Sequence, residues 1–313
     1  MVYIMQEDTI HLLQEICKEK SILCERLSYD FILKLTKNQK TKFITELAFD
    51  LNTQALTKIL NDKYATYEVL KSFDIPIIEH QMIFNSEKSI WNENIWQQVS
   101  QIFHQYDQNV VVKPNNGSNG AEIFHCTTEK ELKKSIDLLF QKHLSISICP
   151  FYTIKTEYRV IWLAGNIELI YGKIKPVFEW NGVSTVQELL EKFNPHFPKT
   201  KIFQKNIENC DMNFIPKKGE KVEFSWKFNL AWWAQVDLNI SNFAKREIDK
   251  IVQKIVSHLE VKFVSIDIIQ DEYDELRVIE INSHVYLQQF MYLVPNGKMI
   301  AKRIYAKAID SMF

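Results

Sequence analysis

Hydrophobic and polar residues alternate with a period of two in several β-branched runs of this chain, and this period is typical of strands. Where a short polar or glycine-containing segment separates two such runs, the pattern predicts a hairpin. Three hairpins are predicted on this basis: residues 110–113 with 121–126, residues 157–163 with 167–170, and residues 263–269 with 276–282. Turn residues at Asn181-Gly182 and Lys218-Gly219 predict two further hairpin tips.

Apolar residues at helical spacing predict two helices beside these strands. Asn61-Asp62 is a candidate cap for a helix over residues 63–73, which Asp74-Ile75-Pro76 ends because proline cannot continue a helix. A strand over residues 77–84 should follow. Thr127-Thr128 can cap the second helix, whose apolar positions are Leu132, Ile136, Leu139 and Phe140.

Composition places the chain among globular proteins, because 46% of its 313 residues are apolar and can fill a core. Its 38 basic and 39 acidic side chains leave a formal charge of -1. No overall electrostatic field therefore draws the chain to nucleic acid or to a membrane surface, and we expect neither as a partner. Residues 1–60 look helical and mixed, and no repeat or low-complexity linker marks a domain boundary.

Cysteine usage and the chain start bear on location. The cysteines show neither CxxC spacing nor the density of a disulfide scaffold, which fits a reducing compartment: Cys17, Cys24, Cys126, Cys149 and Cys210. The first residues, with Glu7 and Asp8, do not resemble a signal peptide. No stretch approaches the roughly 20 apolar residues of a membrane span. The expected location is cytoplasmic.

The loop of the first hairpin carries candidate chemistry. Two of the seven glycines in the chain, Gly117 and Gly120, lie in the segment Asn115-Asn116-Gly117-Ser118-Asn119-Gly120 that follows Lys113. Glycine permits a close approach of the backbone to a ligand, and successive amides in such a turn form an anion site. A polyphosphate is the natural guest beside Lys113. The alternative is an ordinary polar hairpin tip.

Charged residues recur at matching places in the other two hairpins. Glu157 and Arg159 share one strand face by the period of two, so both can address one site, although a solvated ion pair is the alternative. Asp267 and Glu280 lie inside apolar runs, where an unpaired carboxylate is costly. Together with Asn282 they can converge on one face of adjacent strands and bind Mg²⁺. Pairing with surface lysines is the alternative for these acids.

The order and spacing of these segments resemble the ATP-grasp superfamily of carboxylate–amine and carboxylate–thiol ligases. The similarity begins near Asn52, includes Asn61-Asp62-Lys63, and extends over the rest of the chain. The resemblance implies that Lys63 and Lys113 contact nucleotide phosphates and that a loop closes over them. It also implies that the adenine lies against the segment between the two halves of the fold. The implied nucleotide contacts are Lys63, Lys113, Gly117, Ser118, Asn119, Gly120, Pro150, Phe151, Tyr152 and, for the ribose, Glu157.

The same resemblance implies further roles. Arg159 matches an arginine that contacts phosphate, so Arg159 and Lys113 are the expected catalytic cations, and the set Asp267, Glu280 and Asn282 matches the metal ligands. The middle of the chain is most similar to the ligase modules of cyanophycin synthetase and bifunctional glutathione synthetase, through Trp180-Asn181-Gly182 and its continuation, and through Phe228-Asn229-Leu230. The expected substrate contacts are Lys173, Lys175, Asn229 and His284.

The resemblance implies an α+β ATP-grasp fold with the nucleotide between a central and a C-terminal α+β subdomain. The expected parts are a short N-terminal part over residues 1–60, a central subdomain over 61–152 with the glycine-rich loop, and a C-terminal subdomain over 153–313 with the metal site. The expected activity is ATP- and Mg²⁺-dependent amide-bond formation on an amino acid or peptide, through an acyl phosphate. Alternatives are thiol ligation, phosphate transfer or ATP binding without catalysis. Oligomer formation is possible.

Overall fold

The computed structural model describes residues 7–85, 93–117, 122–175, 177–193, 211, 213–223, 226–228, 230 and 234–313. Its first part is a helix followed by a four-stranded antiparallel meander, the N-terminal sheet. These elements are α1 (Glu7–Glu19), β1 (Leu23–Leu27), β2 (Ile32–Lys37), β3 (Lys40–Thr45) and β4 (Ala48–Phe49). Residues 1–60 were expected to be helical and mixed, and this sheet was not predicted. Its strands are short, and apolar and polar residues alternate only weakly along them.

The next part is a four-stranded antiparallel sheet in the order β5-β8-β6-β7, the central sheet. Two helices precede it and two others connect its strands. The elements are α2 (Gln54–Leu60), α3 (Lys63–Ser72), β5 (Gln81–Phe84), α4 (Glu93–Gln105), β6 (Val110–Pro114), β7 (Phe124–Cys126), α5 (Glu129–Phe140) and β8 (Ser145–Pro150).

The last part contains a five-stranded antiparallel sheet in the order β13-β10-β9-β14-β15, the C-terminal sheet, and the two-stranded pair β11-β12. The elements are β9 (Ile154–Leu163), β10 (Asn166–Ile174), β11 (Val177–Glu179), α6 (Val186–Phe193), β12 (Lys221–Glu223), β13 (Gln235–Asp237), α7 (Asn242–Leu259), β14 (Phe263–Asp271), β15 (Leu276–Asn282), α8 (Gln288–Leu293) and α9 (Gly297–Asp310).

Alternation along β9 gives the C-terminal sheet two different faces. One face of β9 carries Tyr158, Val160 and Trp162, which pack with Ile248 and Val252 of α7. The residues between them point to the opposite face. On that face the C-terminal end of β9 is apolar and packs in the core formed by α1, the N-terminal sheet and α9. Toward the N-terminal end of β9, the same face carries Glu157 and Arg159. The strand therefore supplies two cores and a charged region.

The central sheet is also two-sided. Val110 and Val112 belong to a core with α4 and α5. Val111, on the opposite face, packs instead in a small apolar cluster with Cys149 and Ile269. Lys113 shares the face of Val111 by the period of two. The face that carries Lys113 is thus the one that meets the C-terminal sheet.

Both predicted helices are confirmed, and so are their caps. Asp62 accepts a hydrogen bond from the Ala65 amide at 2.8 Å at the start of α3. Thr128 and Glu131 form a capping box at the start of α5. Only the last four residues of the strand predicted over 77–84 form a strand of the central sheet, as β5. Residues before β5 bond to β15 instead: the Ile78 amide donates to the Val278 carbonyl at 2.9 Å.

The three predicted hairpins are confirmed as β6–β7, β9–β10 and β14–β15, all antiparallel. The two further hairpin tips are wrong. Gly182 and Gly219 do lie in turns with positive φ, but β11 before the first turn pairs with β12 after the second. The two turns lie side by side, since a Cβ on Gly182 would be 3.1 Å from the Cβ of Lys218. No helix of the described ranges is long and apolar enough to cross a membrane.

Asn52 ties the N-terminal part to β14. Its side-chain amide donates to the Phe263 carbonyl at 2.7 Å and accepts from the Lys262 amide at 2.8 Å. We expect Asn52→Ala to lower the free energy of unfolding by about 1–2 kcal/mol, because the part-buried Phe263 carbonyl and the Lys262 amide lose their side-chain partner. Urea denaturation measures this. Asn242→Ala, at an exposed position of α7, should stay within about 0.5 kcal/mol of wild type; equal effects would contradict a tie through Asn52.

Candidate active site

The register of the C-terminal sheet brings charged residues of four strands into one row. Glu157 of β9 lies opposite Lys173 of β10, and Arg159 lies opposite Asp267 of β14. Asp267 in turn lies opposite Glu280 of β15. The expected convergence of Asp267 and Glu280 on adjacent strands is therefore confirmed. The pairing of Arg159 with Asp267 follows from the central position of β9.

Four of these side chains form a buried ion cluster: Glu157, Arg159, Lys173 and Asp267. Arg159 grips Asp267 with two hydrogen bonds, Nε to Oδ1 at 2.7 Å and Nη2 to Oδ2 at 2.5 Å. The Lys173 ammonium donates to Glu157 and lies 3.2 Å from Oδ1 of Asp267. Two cations and two anions cancel, which allows Asp267 and Lys173 to be only 3% and 4% exposed.

Burial and pairing act in opposite directions on the acids of the ion cluster. Burial alone raises the pKa of Asp267, but Arg159 and Lys173 outweigh it and lower the pKa to about 2. Burial raises the pKa of Glu157, and Lys173 offsets this rise only in part. Asp267 is therefore firmly ionised at neutral pH, and its charge orients the Arg159 guanidinium.

Glu280 connects the C-terminal sheet to the central part of the chain. Its Oε2 lies 3.7 Å from the Lys63 ammonium, and its Oε1 accepts from the Asn282 amide at 3.0 Å. Burial raises the pKa of Glu280, but Lys63 and Lys113 lower it below the usual range. Conversely, burial lowers the pKa of Lys63 despite Glu280. The two predicted phosphate lysines therefore lie in the field of a predicted metal ligand.

The start of α3 is attached to the loop after β6. The Lys63 amide donates to the Asn115 carbonyl at 3.2 Å, and the Tyr64 amide donates to the Asn115 side chain at 3.1 Å. The Lys63 ammonium donates to the Gly117 carbonyl at 2.5 Å. A Cβ on Gly117 would be 3.0 Å from the Cβ of Pro114, so a larger residue fits poorly. Asn115, which the sequence reasoning missed, joins these two nucleotide-contact candidates.

The remaining loop candidates and one substrate candidate lie outside the described residues: Ser118, Asn119, Gly120 and Asn229. The predicted hinge is described. Pro150 ends β8, and the next residue, Phe151, donates its amide to the Asn109 carbonyl at 2.9 Å. The Phe151 ring stacks on His125 with centroids 3.9 Å apart. The guanidinium of Arg277 lies 5.3 Å from the Tyr152 ring centroid.

Two substrate candidates have contacts outside the ion cluster. The Lys175 ammonium lies 5.2 Å from the centroid of the Phe228 ring. His284 forms a backbone bridge with Ala48, and its Nε2 lies 3.9 Å from Glu46. Burial lowers the pKa of His284. His284 thus faces the N-terminal part, whereas Lys173 is a full member of the ion cluster.

Sequence reasoning also missed Tyr171, which lies opposite Arg159 and is 1% exposed. Burial raises the pKa of its phenol, although Arg159 and Lys173 offset part of the rise. The period of two places Tyr171 and Lys173 on the same face of β10, so alternation was the available signal. A neutral phenol opposite Arg159 leaves the charge of the guanidinium uncancelled.

The donor set near Glu280 suits a hard cation. Two carboxylates and one amide, on Asp267, Glu280 and Asn282, offer the oxygen ligands that Mg²⁺ prefers. The described residues contain no group of three or more His, Cys, Asp or Glu side chains that could hold a metal unaided. Both oxygens of Asp267 already accept hydrogen bonds from Arg159. The residues therefore fit an ion whose shell substrate phosphates complete.

Comparison with solved structures identifies the fold. D-alanyl-alanine synthetase A from Vibrio cholerae superimposes with a TM-score of 0.62 at 10% identity, over 99% of this chain and 96% of that one. A bifunctional glutathione synthetase from Pasteurella multocida matches with a TM-score of 0.53 at 14% identity, over 94% of this chain and 44% of that one. The chain has the ATP-grasp fold, as its motifs predicted.

Sequence comparison is sparser. The glutathione biosynthesis bifunctional protein GshAB of Lactiplantibacillus plantarum is 23% identical over 164 residues. The match covers 52% of this chain and 21% of that protein, so the chain spans a small part of this relative. No family model matches the chain. The fold is thus defined by structure, and the activity has to be argued from the site.

Lys173 tests the ion cluster. We expect Lys173→Met to lower the free energy of unfolding by about 3–5 kcal/mol, because Glu157 and Asp267 lose a buried cation. Lys175→Met, two residues away, leaves the ion cluster intact and removes a cation–π contact with Phe228, so it should cost much less than Lys173→Met, about 1 kcal/mol. Adding Glu157→Gln to Lys173→Met should restore part of the loss. Chemical denaturation of wild type, Lys173→Met, Glu157→Gln and the double variant gives the coupling free energy; additive effects would contradict a shared cluster.

Proposed function

We propose that this chain is an ATP-dependent carboxylate–amine ligase that forms an amide bond on an amino acid or peptide through an acyl phosphate. The observation that carries the proposal is the meeting of Lys63 with Glu280 at 3.7 Å. It joins the lysine-bearing central part to the acid-bearing C-terminal sheet. The fold is shared with proteins named as glutathione and D-alanyl-alanine synthetases, which supports this reaction class.

Charges of both signs lie beside an apolar surface where the central and C-terminal sheets meet. A nucleotide requires both, because it has charged phosphates and a planar base. Lys113 and Lys63 supply cations for the phosphates, and both are nearly buried, so their charge is poorly screened. Val111 and Ile269 belong to an apolar cluster that also includes Phe151 of the hinge. A planar base fits against such a surface, and hinge backbone groups can bind its edge. Glu157 would then hold the ribose from the same side.

Mg²⁺ would be held by Glu280 and Asn282, with Asp267 in reach of the same place. When bound, the ion neutralises phosphate charge and so favours attack by an anion. Arg159 adds a cation whose direction is set by Asp267. Attack by the substrate carboxylate brings two anions together, and Arg159, Lys63 and Lys113 lower the repulsion between them.

The remaining steps need no covalent group on the protein. Transfer of the terminal phosphoryl group to the carboxylate forms an acyl phosphate and ADP, and an amine then displaces phosphate. A closed, dry site protects the acyl phosphate from hydrolysis. Lys173, Lys175, Asn229 and His284 stay candidates for substrate contacts. In the structure Lys173 binds Glu157 and Asp267, so a substrate carboxylate would compete with them.

The location proposed for this chemistry is the cytoplasm. It is supported by Cys17, Cys24, Cys126 and Cys149, none of which forms a disulfide within the described part of the chain.

Hydroxylamine trapping tests the reaction class. Incubation with ATP, Mg²⁺, hydroxylamine and a panel of amino acids and dipeptides should yield a hydroxamate with the correct acid, because hydroxylamine captures acyl phosphates. Amide product with the natural amine, and none with thiols, would separate amide ligation from thiol ligation. ATP binding by calorimetry without phosphate release for any acid would contradict catalysis and leave an ATP-binding module.

Glu280 provides the sharpest variant. Glu280→Gln should keep the fold but reduce Mg²⁺-dependent phosphate release by about tenfold or more, because one anionic ligand is lost. Raising the Mg²⁺ concentration should restore part of the rate. Glu272→Gln, at an exposed position in the turn before β15, is the matched control and should behave as wild type. Unchanged turnover at ordinary Mg²⁺ would rule out Glu280 as a ligand.

A further inference from the structure

A cavity of about 350 Å³ lies between α3 and the segment that enters β5. Five of its lining residues come from one face of α3, at spacings of three and four: Tyr64, Tyr67, Glu68, Lys71 and Ser72. The other wall is Glu79-His80-Gln81. The lining includes none of Lys63, Lys113, Asp267 or Glu280, so the cavity is separate from the proposed nucleotide site.

The inner part of the cavity is aromatic. Tyr67 is 8% exposed and His80 is fully buried, and their ring centroids lie 6.3 Å apart in an edge-to-face arrangement. Tyr64 lies 6.2 Å from Tyr67. Such rings offer a flat apolar surface to a ligand side chain.

His80 lies behind Tyr67 and has no exposed surface of its own. Its Nδ1 lies 2.7 Å from the Ser147 hydroxyl. Burial lowers the pKa of His80 well below its usual range, and Lys113 and Lys63 lower it further. The ring is therefore neutral, and it supports Tyr67 without adding charge to the cavity.

Charged groups line the cavity with both signs. Glu79 is half-buried and accepts a hydrogen bond from the Gln81 side-chain amide at 3.1 Å through Oε1. Lys71 is exposed and donates to the Tyr67 hydroxyl at 2.8 Å, with two N–H groups left over. With Glu68 the lining carries two anions and one cation, a balance that disfavours polyphosphate and favours a ligand with an amine.

We propose that this cavity binds a free α-amino acid with an apolar side chain. Glu79 receives the ammonium group, Lys71 the carboxylate, and the Tyr64 and Tyr67 rings the side chain. A volume of about 350 Å³ is at the lower end of the range for small-molecule pockets, which suits a ligand of this size. The site is additional to the nucleotide site and does not require catalysis there.

Calorimetry of the whole chain without nucleotide tests the proposal with three related probes. L-phenylalanine carries both charges, L-phenylalaninamide only the amine, and 3-phenylpropionate only the carboxylate; L-leucine serves as a smaller amino acid. Each missing charge should weaken binding by about tenfold, because a charge-assisted hydrogen bond is lost. Equal binding of the three phenyl probes, or no binding of either amino acid up to about 10 mM, would overturn the proposal.

Two variants assign the charges. Glu79→Gln should weaken both amine-bearing phenyl probes by about tenfold and leave 3-phenylpropionate unchanged. Lys71→Met should reduce phenylalanine to the affinity of its amide and leave the amide unchanged. Glu129→Gln, on the exposed face of α5, is the control and should bind as wild type. Unaltered phenylalanine affinity in Glu79→Gln would overturn the site.

Competition with ATP locates the amino acid. Phenylalanine should bind with ATP present, because the cavity lies outside the nucleotide site. Displacement of phenylalanine by ATP would overturn the assignment to a separate cavity. A chain that releases no phosphate with any acid would still bind phenylalanine here, so failure of this proposal and failure of the ligase proposal give different results.

Discussion

The buried ion cluster of Glu157, Arg159, Lys173 and Asp267 is the constraint on which the C-terminal sheet depends. Each charge would be very costly to bury alone, and each is acceptable only because three strands hold opposite charges in register. A shift of one residue in the register of β9 would turn its charged side chains toward α7. It would turn the apolar side chains that face α7 toward the cleft between the C-terminal and central sheets. The cluster therefore selects one register of the sheet and also fixes the direction of Arg159.

One strand, β9, carries three environments because its side chains alternate. The face with Val160 joins the α7 core. The opposite face is apolar toward the C-terminal end of β9, where Ile161 packs with the N-terminal part, and charged toward the N-terminal end of the strand. The charged end is thus flanked by packed cores, which keeps water out and strengthens the ion pairs. The same arrangement holds in β14 around Asp267.

The central and C-terminal sheets meet through few but varied contacts. Lys63 reaches Glu280, Ile78 bonds to β15, and Val111 packs against Ile269. Hydrogen bonds, charge and apolar contact thus all act across one cleft. The lysines lie in it under mutual repulsion, and burial lowers the pKa of Lys63. A bound polyphosphate would relieve this repulsion.

Local patterns were enough to predict the helices α3 and α5, the three main hairpins, and the shared face of Glu157 and Arg159. They were also enough to mark Asp267 and Glu280 as unusual acids, because an acid inside an apolar run is a local feature. Only the tertiary structure decided that Arg159 grips Asp267, 108 positions away, that Lys173 completes the cluster, and that Asn115 joins α3 to the loop. The N-terminal sheet and the cavity beside α3 were likewise invisible in the sequence. Alternation tells which face a side chain takes, but strand order and register depend on how all the apolar faces are buried together.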